Sequence, residues 1–187
     1  MSHIDFTKTQ QRIRELKEEH DCLILAHYYQ RGEIQDIADY VGDSLGLSQR
    51  AASAKESIIV FCGVFFMAEG AKILSPNKKV IIPEPRAGCP MADMVDVEGL
   101  RALKAEHPDA AVVCYVNTTA AVKAECDICC TSSNAVKIVN SLPNKKIIFA
   151  PDRNLAHWVS LQTDKEIIPW QGFCNTHDSV TLEEVIA

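Results

Sequence analysis

CLILAHY at residues 22–28, IIVFCGV at 58–64 and KVIIP at 79–83 decide the fold. Each is a short, nearly continuous apolar run, the second and third rich in β-branched residues, and helix-like segments separate them. Such runs are the mark of strands buried on both faces, as in a parallel sheet covered by helices. Working outward, strands are predicted at 22–28, 58–64, 79–83, 110–116, 146–150 and 166–170. Helices are predicted at 33–41, 44–54, 66–75, 96–106, 133–141 and 153–162. The class is α/β.

The same pattern occurs twice. His27 ends the first strand and Ser44 follows 17 residues later, while Tyr115 and Ser132 stand in the same relation 88 residues on. IIVFCGV corresponds to KIIFAPD at 146–152, KVIIP to KEIIPW at 165–170, and Cys89 to Cys174. These matches, all in one order, indicate a duplicated αβα module. The expected organisation is a first module at 1–88, a second at 89–174 and the start of a third at 175–187. Thr181-Leu-Glu-Glu184 has the form of a capping box, which opens a helix, yet only three residues follow. A chain that caps a helix and then stops is expected to be cut short.

Composition narrows the function. The 187 residues are 47% hydrophobic and 24% charged, as in globular proteins. A net charge of −6 without a basic block argues against nucleic acid as a partner. The polar start, Met1 to His20, is neither a secretory signal nor a membrane anchor, and no apolar run approaches the roughly 18 residues of a membrane span. A cytoplasmic protein is expected. Of eight cysteines, Cys22, Cys62 and Cys114 fall in strand-like runs and read as small buried hydrophobes. Cys89 and Cys174 each follow a glycine-containing turn, where a thiolate can reach a cleft.

Several groups could carry chemistry. Gly42-Asp43-Ser44-Leu45 has the letters of a GDSL hydrolase block, but it follows a predicted helix and no aspartate has a histidine three residues on. Ser44, and Ser132 with Ser133 and Asn134, read better as helix N-caps, whose free N–H groups attract carboxylates and phosphates. His27 with Tyr28 and Tyr29, and Tyr115 with Asn117, sit at strand ends, where parallel sheets bind ligands. The candidate side chains are expected to line one cleft. Cys126-x-x-Cys129-Cys130 lacks the second pair of a zinc site. One cysteine per module, Cys89 and Cys174, would suit an iron–sulfur cluster that takes its third thiolate from a third module and keeps one iron open.

At these residues the chain resembles the quinolinate synthase family. The stretches are AHYYQ (26–30), IQDIADYVGDSLGLS (34–48), FCGV with FMAE (61–69), AGCPMAD (87–93), CYVNTTA (114–120), DICCTSSNAVKIV (127–139) and GFC with His177 (172–177). The resemblance implies three pseudo-symmetric domains around a [4Fe-4S] cluster. It also implies the condensation of iminoaspartate with dihydroxyacetone phosphate to quinolinate, in NAD biosynthesis. Cys89 and Cys174 would be two of three cluster ligands. His27, Ser44, Tyr115, Asn117 and Ser132 would bind iminoaspartate. Tyr29, with His27 and Tyr115, would serve catalysis, and His177 the phosphate side. An upstream L-aspartate-oxidising enzyme and a homo-oligomer are the implied partners. Phe65 stands where the family usually has a polar residue, Cys126 where serine is common, and the chain ends before the family's His-Pro-Glu segment and third cysteine. The alternatives are an inactive dicarboxylate- or metal-binding module and a metal protein built on Cys126, Cys129 and Cys130.

Overall fold

The structure is a computed structural model describing residues 6–186. Residues 1–5 and Ala187, the outer ends of the expected first and third modules, lie outside the described residues. The chain forms two units, Met1–Ala87 and Gly88–Ala187. The first runs α1 (Thr7–Glu19), β1 (Cys22–His27), α2 (Gly32–Gln35), β2 (Tyr40–Gly42), α3 (Ser44–Ser53), β3 (Ile58–Cys62), α4 (Phe65–Leu74) and β4 (Lys79–Ile81). The second runs α5 (Pro90–Asp93), α6 (Val97–Glu106), β5 (Ala111–Tyr115), α7 (Ala120–Lys123), β6 (Ile128–Cys130), α8 (Ala135–Ser141), β7 (Lys146–Ala150), α9 (Arg153–Ser160), β8 (Glu166–Pro169), α10 (Asn175–Asp178) and α11 (Leu182–Ile186).

Each unit holds one four-stranded parallel sheet, ordered β2-β1-β3-β4 in the first and β6-β5-β7-β8 in the second. The central strands are the continuous apolar runs of the sequence, because both of their faces are covered. In the second unit Ala111, Val113, Ile147 and Phe149 pack with α8 and α9, while their neighbours Val112, Ile148 and Ala150 pack with Leu100 of α6 and Val122 of α7. Alternate residues of one strand thus serve two helical layers.

The duplication holds bond by bond. The Cα pair Leu23↔Ile59 recurs as Ala111↔Ile147, and His27↔Gly42 as Tyr115↔Cys130. The Asp39 carboxylate accepts the Ile24 N–H at 2.8 Å, and that of Asp127 accepts the Val112 N–H at 2.7 Å. Lys78 Nζ donates to the carbonyl of Ala54, and Lys165 Nζ to that of Leu142. The Phe65 N–H donates to Ala87 O at 2.7 Å, and the Arg153 N–H to Gly172 O at 2.8 Å.

Some predicted elements change. The helix expected over 33–41 stops at Gln35, and Tyr40–Gly42 forms an edge strand instead. Asp39 explains the switch, since its N–H donates to Ile24 O while its carboxylate takes the Ile24 N–H, which holds the chain extended beside β1. β6 is the matching strand of the second unit, fixed in the same way by Asp127 and Val112. Cys114 is buried as expected, whereas Cys22 and Cys62 are only half-buried. The capping box forms reciprocally, Thr181 N–H to Glu184 Oε2 at 2.9 Å and Glu184 N–H to Thr181 Oγ1 at 3.3 Å. Among the described residues no helix is long and apolar enough to cross a membrane.

Candidate functional site

In the first unit, β1 delivers His27 to the carboxyl end of the sheet, and the pairing with Gly42 brings the start of α3 beside it. His27 is buried, and its ring packs against Tyr29 and Tyr28 at centroid distances of 3.9 and 4.3 Å. Burial pushes its pKa below the ordinary value, while the nearby Asp43 carboxylate opposes the shift. The Tyr29 backbone N–H donates to His27 Nδ1 at 3.3 Å. A neutral imidazole that accepts at Nδ1 carries its proton on Nε2, and so presents a donor. The Tyr29 hydroxyl contacts Met67 Sδ at 3.8 Å.

Ser44 is not the N-cap. Asp43 takes that place, with extended backbone (φ −84°, ψ 173°) and Oδ1 accepting the Gly46 N–H at 2.7 Å. Ser44 is the half-buried first residue of the helix, and its carbonyl accepts from Ser48 Oγ at 2.8 Å. The Gly42-Asp43-Ser44-Leu45 block follows a strand, not a helix, so that part of the case against a hydrolase falls. The lack of a correctly spaced aspartate–histidine pair remains.

In the second unit the same strand end carries Tyr115, half-buried and paired with Cys130. The strand stops there, so Asn117 lies in the following bend, beyond the reach of strand alternation. Ser132 is exposed in the turn before α8 and, like Ser44, is no cap. The N-cap of α8 is Asn134, whose Oδ1 turns back to accept the Thr131 N–H at 2.7 Å.

Cys89 and Cys174 both belong to the second unit, each immediately before a four-residue helix, α5 and α10. Their segments are tied together. The indole of Trp170 donates to Met94 O at 2.8 Å, and the Phe173 N–H approaches Met94 Sδ at 3.4 Å. A Cβ on Gly172 would lie 2.6 Å from Pro151 O and 3.2 Å from Met94 Cβ, so only glycine permits this approach. Beyond Cys174, Asp178 accepts from Asn154 Nδ2 at 2.8 Å and pairs with Arg153, whose guanidinium also stacks on Phe173. Hydrogen bonding from Asn154 and Arg153 holds the Asp178 carboxyl below its usual pKa range. Cys89 and Cys174 lie close enough for the charge of one to act on the other. Burial pushes the Cys89 thiol up, and the N–H groups of Ala92 and Met91 pull the other way. His177 is exposed on α10. Asp39, Asp127, Arg153 and Asp178 were not evident as positioning residues. The 88-residue spacing of the two aspartates was the available signal.

Residues 11–187 match the family described as NadA, quinolinate synthetase A protein. The chain belongs to that family. This member of the quinolinate synthase family is 61% identical over 176 residues to quinolinate synthase of Methanosarcina barkeri, covering 94% of the chain and 58% of the relative. It is 59% identical over 175 residues to quinolinate synthase of Geobacter metallireducens, with 94% and 58% covered. For the relative from Caldicellulosiruptor saccharolyticus the identity is 55% over 184 residues, with 98% and 61% covered. The chain thus spans about 58% of the length of the curated relatives it matches.

The family's iron–sulfur chemistry asks for thiolates facing a common space. Cys89 and Cys174 fit in donor type, and each stands at the start of a short helix, in segments tied together through Met94. Cys126, Cys129 and Cys130 do not fit a metal. Cys129 and Cys130 are consecutive in β6 and so face opposite sides of the sheet, and the Cys126 thiol donates to Val122 O at 3.1 Å. Among the described residues no three His, Cys, Asp or Glu side chains form a metal-holding group.

Proposed function

We propose that this chain takes part in making quinolinate, by condensing iminoaspartate with dihydroxyacetone phosphate in NAD biosynthesis. The observation that carries this reading is the 55–61% identity, across both units, to proteins named quinolinate synthase. His27 would donate from Nε2 to a substrate carboxylate, with Ser44 at the positive end of α3 receiving the same charge. Tyr115, Asn117 and Ser132 would hold the second carboxylate and the imine. Tyr29, stacked on His27, would move a proton with it, and His177 would meet the phosphate. Cys89 and Cys174 would hold a [4Fe-4S] cluster, which supplies an electrophilic iron to polarise a substrate oxygen. Residues 175–187 would begin a third module. An imine substrate needs a supplying reaction close by, of the kind that oxidises L-aspartate.

Anaerobic reconstitution with iron and sulfide tests the ligand assignment. Cys89→Ser and Cys174→Ser should each lower bound iron, and Cys62→Ser should not. Calorimetry with malate as a four-carbon dicarboxylate tests the rest. Ser44→Ala combined with Ser132→Ala should weaken binding about tenfold or more, as expected for lost hydrogen bonds to a charged group. Unchanged iron in both cysteine variants, together with unchanged malate affinity, would sink the reading.

A further inference from the structure

A second group of thiols lies away from Cys89 and Cys174. Cys114 and Cys129 are direct partners in the parallel ladder of β5 and β6, and their Sγ atoms are 3.4 Å apart. Cys114 is buried, its Sγ also 3.6 Å from Thr118 Oγ1, while Cys129 is exposed. Cys126 gives its proton to Val122 O at 3.1 Å. Cys130, next along β6, turns into the opposite core with Ala135 and Val139.

The backbone suits a bond between the first two. Paired residues on neighbouring strands stand about 4.8 Å apart and point to the same face. That separation lies inside the range of about 4.4–6.8 Å between disulfide Cα atoms. The sulfurs must close by about 1.4 Å to reach a bond length of about 2.05 Å. Rotation at Cβ and the give of a three-residue edge strand can supply this movement.

We propose that Cys114 and Cys129 are a reversible oxidation site, closed by a hydroperoxide to an intrachain disulfide. In the first step exposed Cys129 attacks the peroxide O–O bond, becomes a sulfenic acid and releases one water (from hydrogen peroxide). In the second, Cys114 displaces the sulfenic hydroxyl as a second water and the S–S bond forms. One peroxide is reduced and two thiols are oxidised. An external dithiol reverses the change. The neighbouring Cys126 thiol helps hold the Cys114 thiol up at about 11, and its contact with Cys114 raises Cys129 as well. Thiolate is therefore scarce at neutral pH, and closure quickens as pH rises.

The experiment uses the full chain, reduced and desalted, then treated with hydrogen peroxide, quenched with N-ethylmaleimide and cut with trypsin. Cys114 lies in the tryptic peptide 105–123, and Cys126, Cys129 and Cys130 in 124–137. The expected product joins these two peptides through Cys114 and Cys129 with loss of two hydrogens. It should form faster at pH 9 than at pH 7, vanish with dithiothreitol, persist in Cys126→Ser and be absent from Cys129→Ser. A link that survives Cys129→Ser would overturn the proposal. So would a Cys126–Cys129 bond with Cys114 fully alkylated, or oxidation of Cys129 to sulfinic acid with no linked species before it.

Discussion

Replacing Asp127 by alanine removes one bond at 2.7 Å from carboxylate to backbone and leaves the N–H of fully buried Val112 without its acceptor. A hydrogen bond to a charged group contributes about 1.5–3 kcal/mol, and the exposure of Asp127 to water puts this one near the lower end, at about 1.5 kcal/mol. In a unit of about 100 residues that should lower Tm by roughly 6–12 °C. In urea it should move the midpoint by about 0.5–1.5 M. Trp158 and Trp170, the two tryptophans of the chain, both lie in the second unit, so their fluorescence follows Asp127→Ala locally. Asp39→Ala, read by circular dichroism, should cost somewhat more. It also breaks the Lys17–Asp39 pair at 2.5 Å, an interaction worth about 0.5–1 kcal/mol near a surface. Asparagine keeps an acceptor at either position and should recover most of the loss. An Asp127→Asn variant as unstable as Asp127→Ala would refute the reasoning, as would an alanine effect below about 0.5 kcal/mol.

His27 has a folded-state pKa lowered by burial, so its contribution is fully present above the unfolded value of 6.5 and is lost as pH falls below it. Urea midpoints at pH 7.5 and 5.5 should converge in His27→Asn relative to wild type; an equal acid loss in both would count against this. Gly172→Ala should destabilise the second unit by about 1–3 kcal/mol through the clash with Pro151 O. It should also disturb Trp170 emission and lower iron loading; normal iron loading with unchanged emission would contradict the tie between 170–174 and Met94. Phe149→Ala, at a fully buried position of β7 in the core shared with α8 and α9, should cost about 3–5 kcal/mol in urea unfolding.

The central strands were legible because burial on both faces writes itself as a continuous apolar run, and β1, β3, β5 and β7 fall where such runs occur. The duplication was legible from spacing alone. β2 and β6 were not, since neither carries the β-branched run that marks the equally short β4, and their place is fixed by long-range bonds from Asp39 and Asp127. The cap of α3 was misplaced for a related reason, whereas Asn134, one of the group expected at α8, is its N-cap. Asp43 and Ser44 are equally good capping types, and only the backbone turn at Asp43 decides between them. Overlooking β6 also hid the contact of Cys114 with Cys129, which are 15 residues apart in sequence. Cys89 and Cys174 stood out because each follows a glycine-containing turn at the same stage of the repeat, but the Met94 and Trp170 bonds that bring their segments together had no sequence signal.

The brevity of the outer strands has a further consequence. A sheet edge offers unpaired N–H and C=O groups on which another molecule can polymerise. Here the edges are β2, β4, β6 and β8, of three, three, three and four residues, and β8 ends on Pro169, which has no N–H to give. Self-templating fibres grow from segments of about six or seven residues. Neither sheet presents that length at its rim, and the longer apolar strands, CLILAH among them, are walled into the middle. They become dangerous only in chains that have not yet closed their short outer strands, which makes the folding intermediate, rather than the finished fold, the species to protect from self-association.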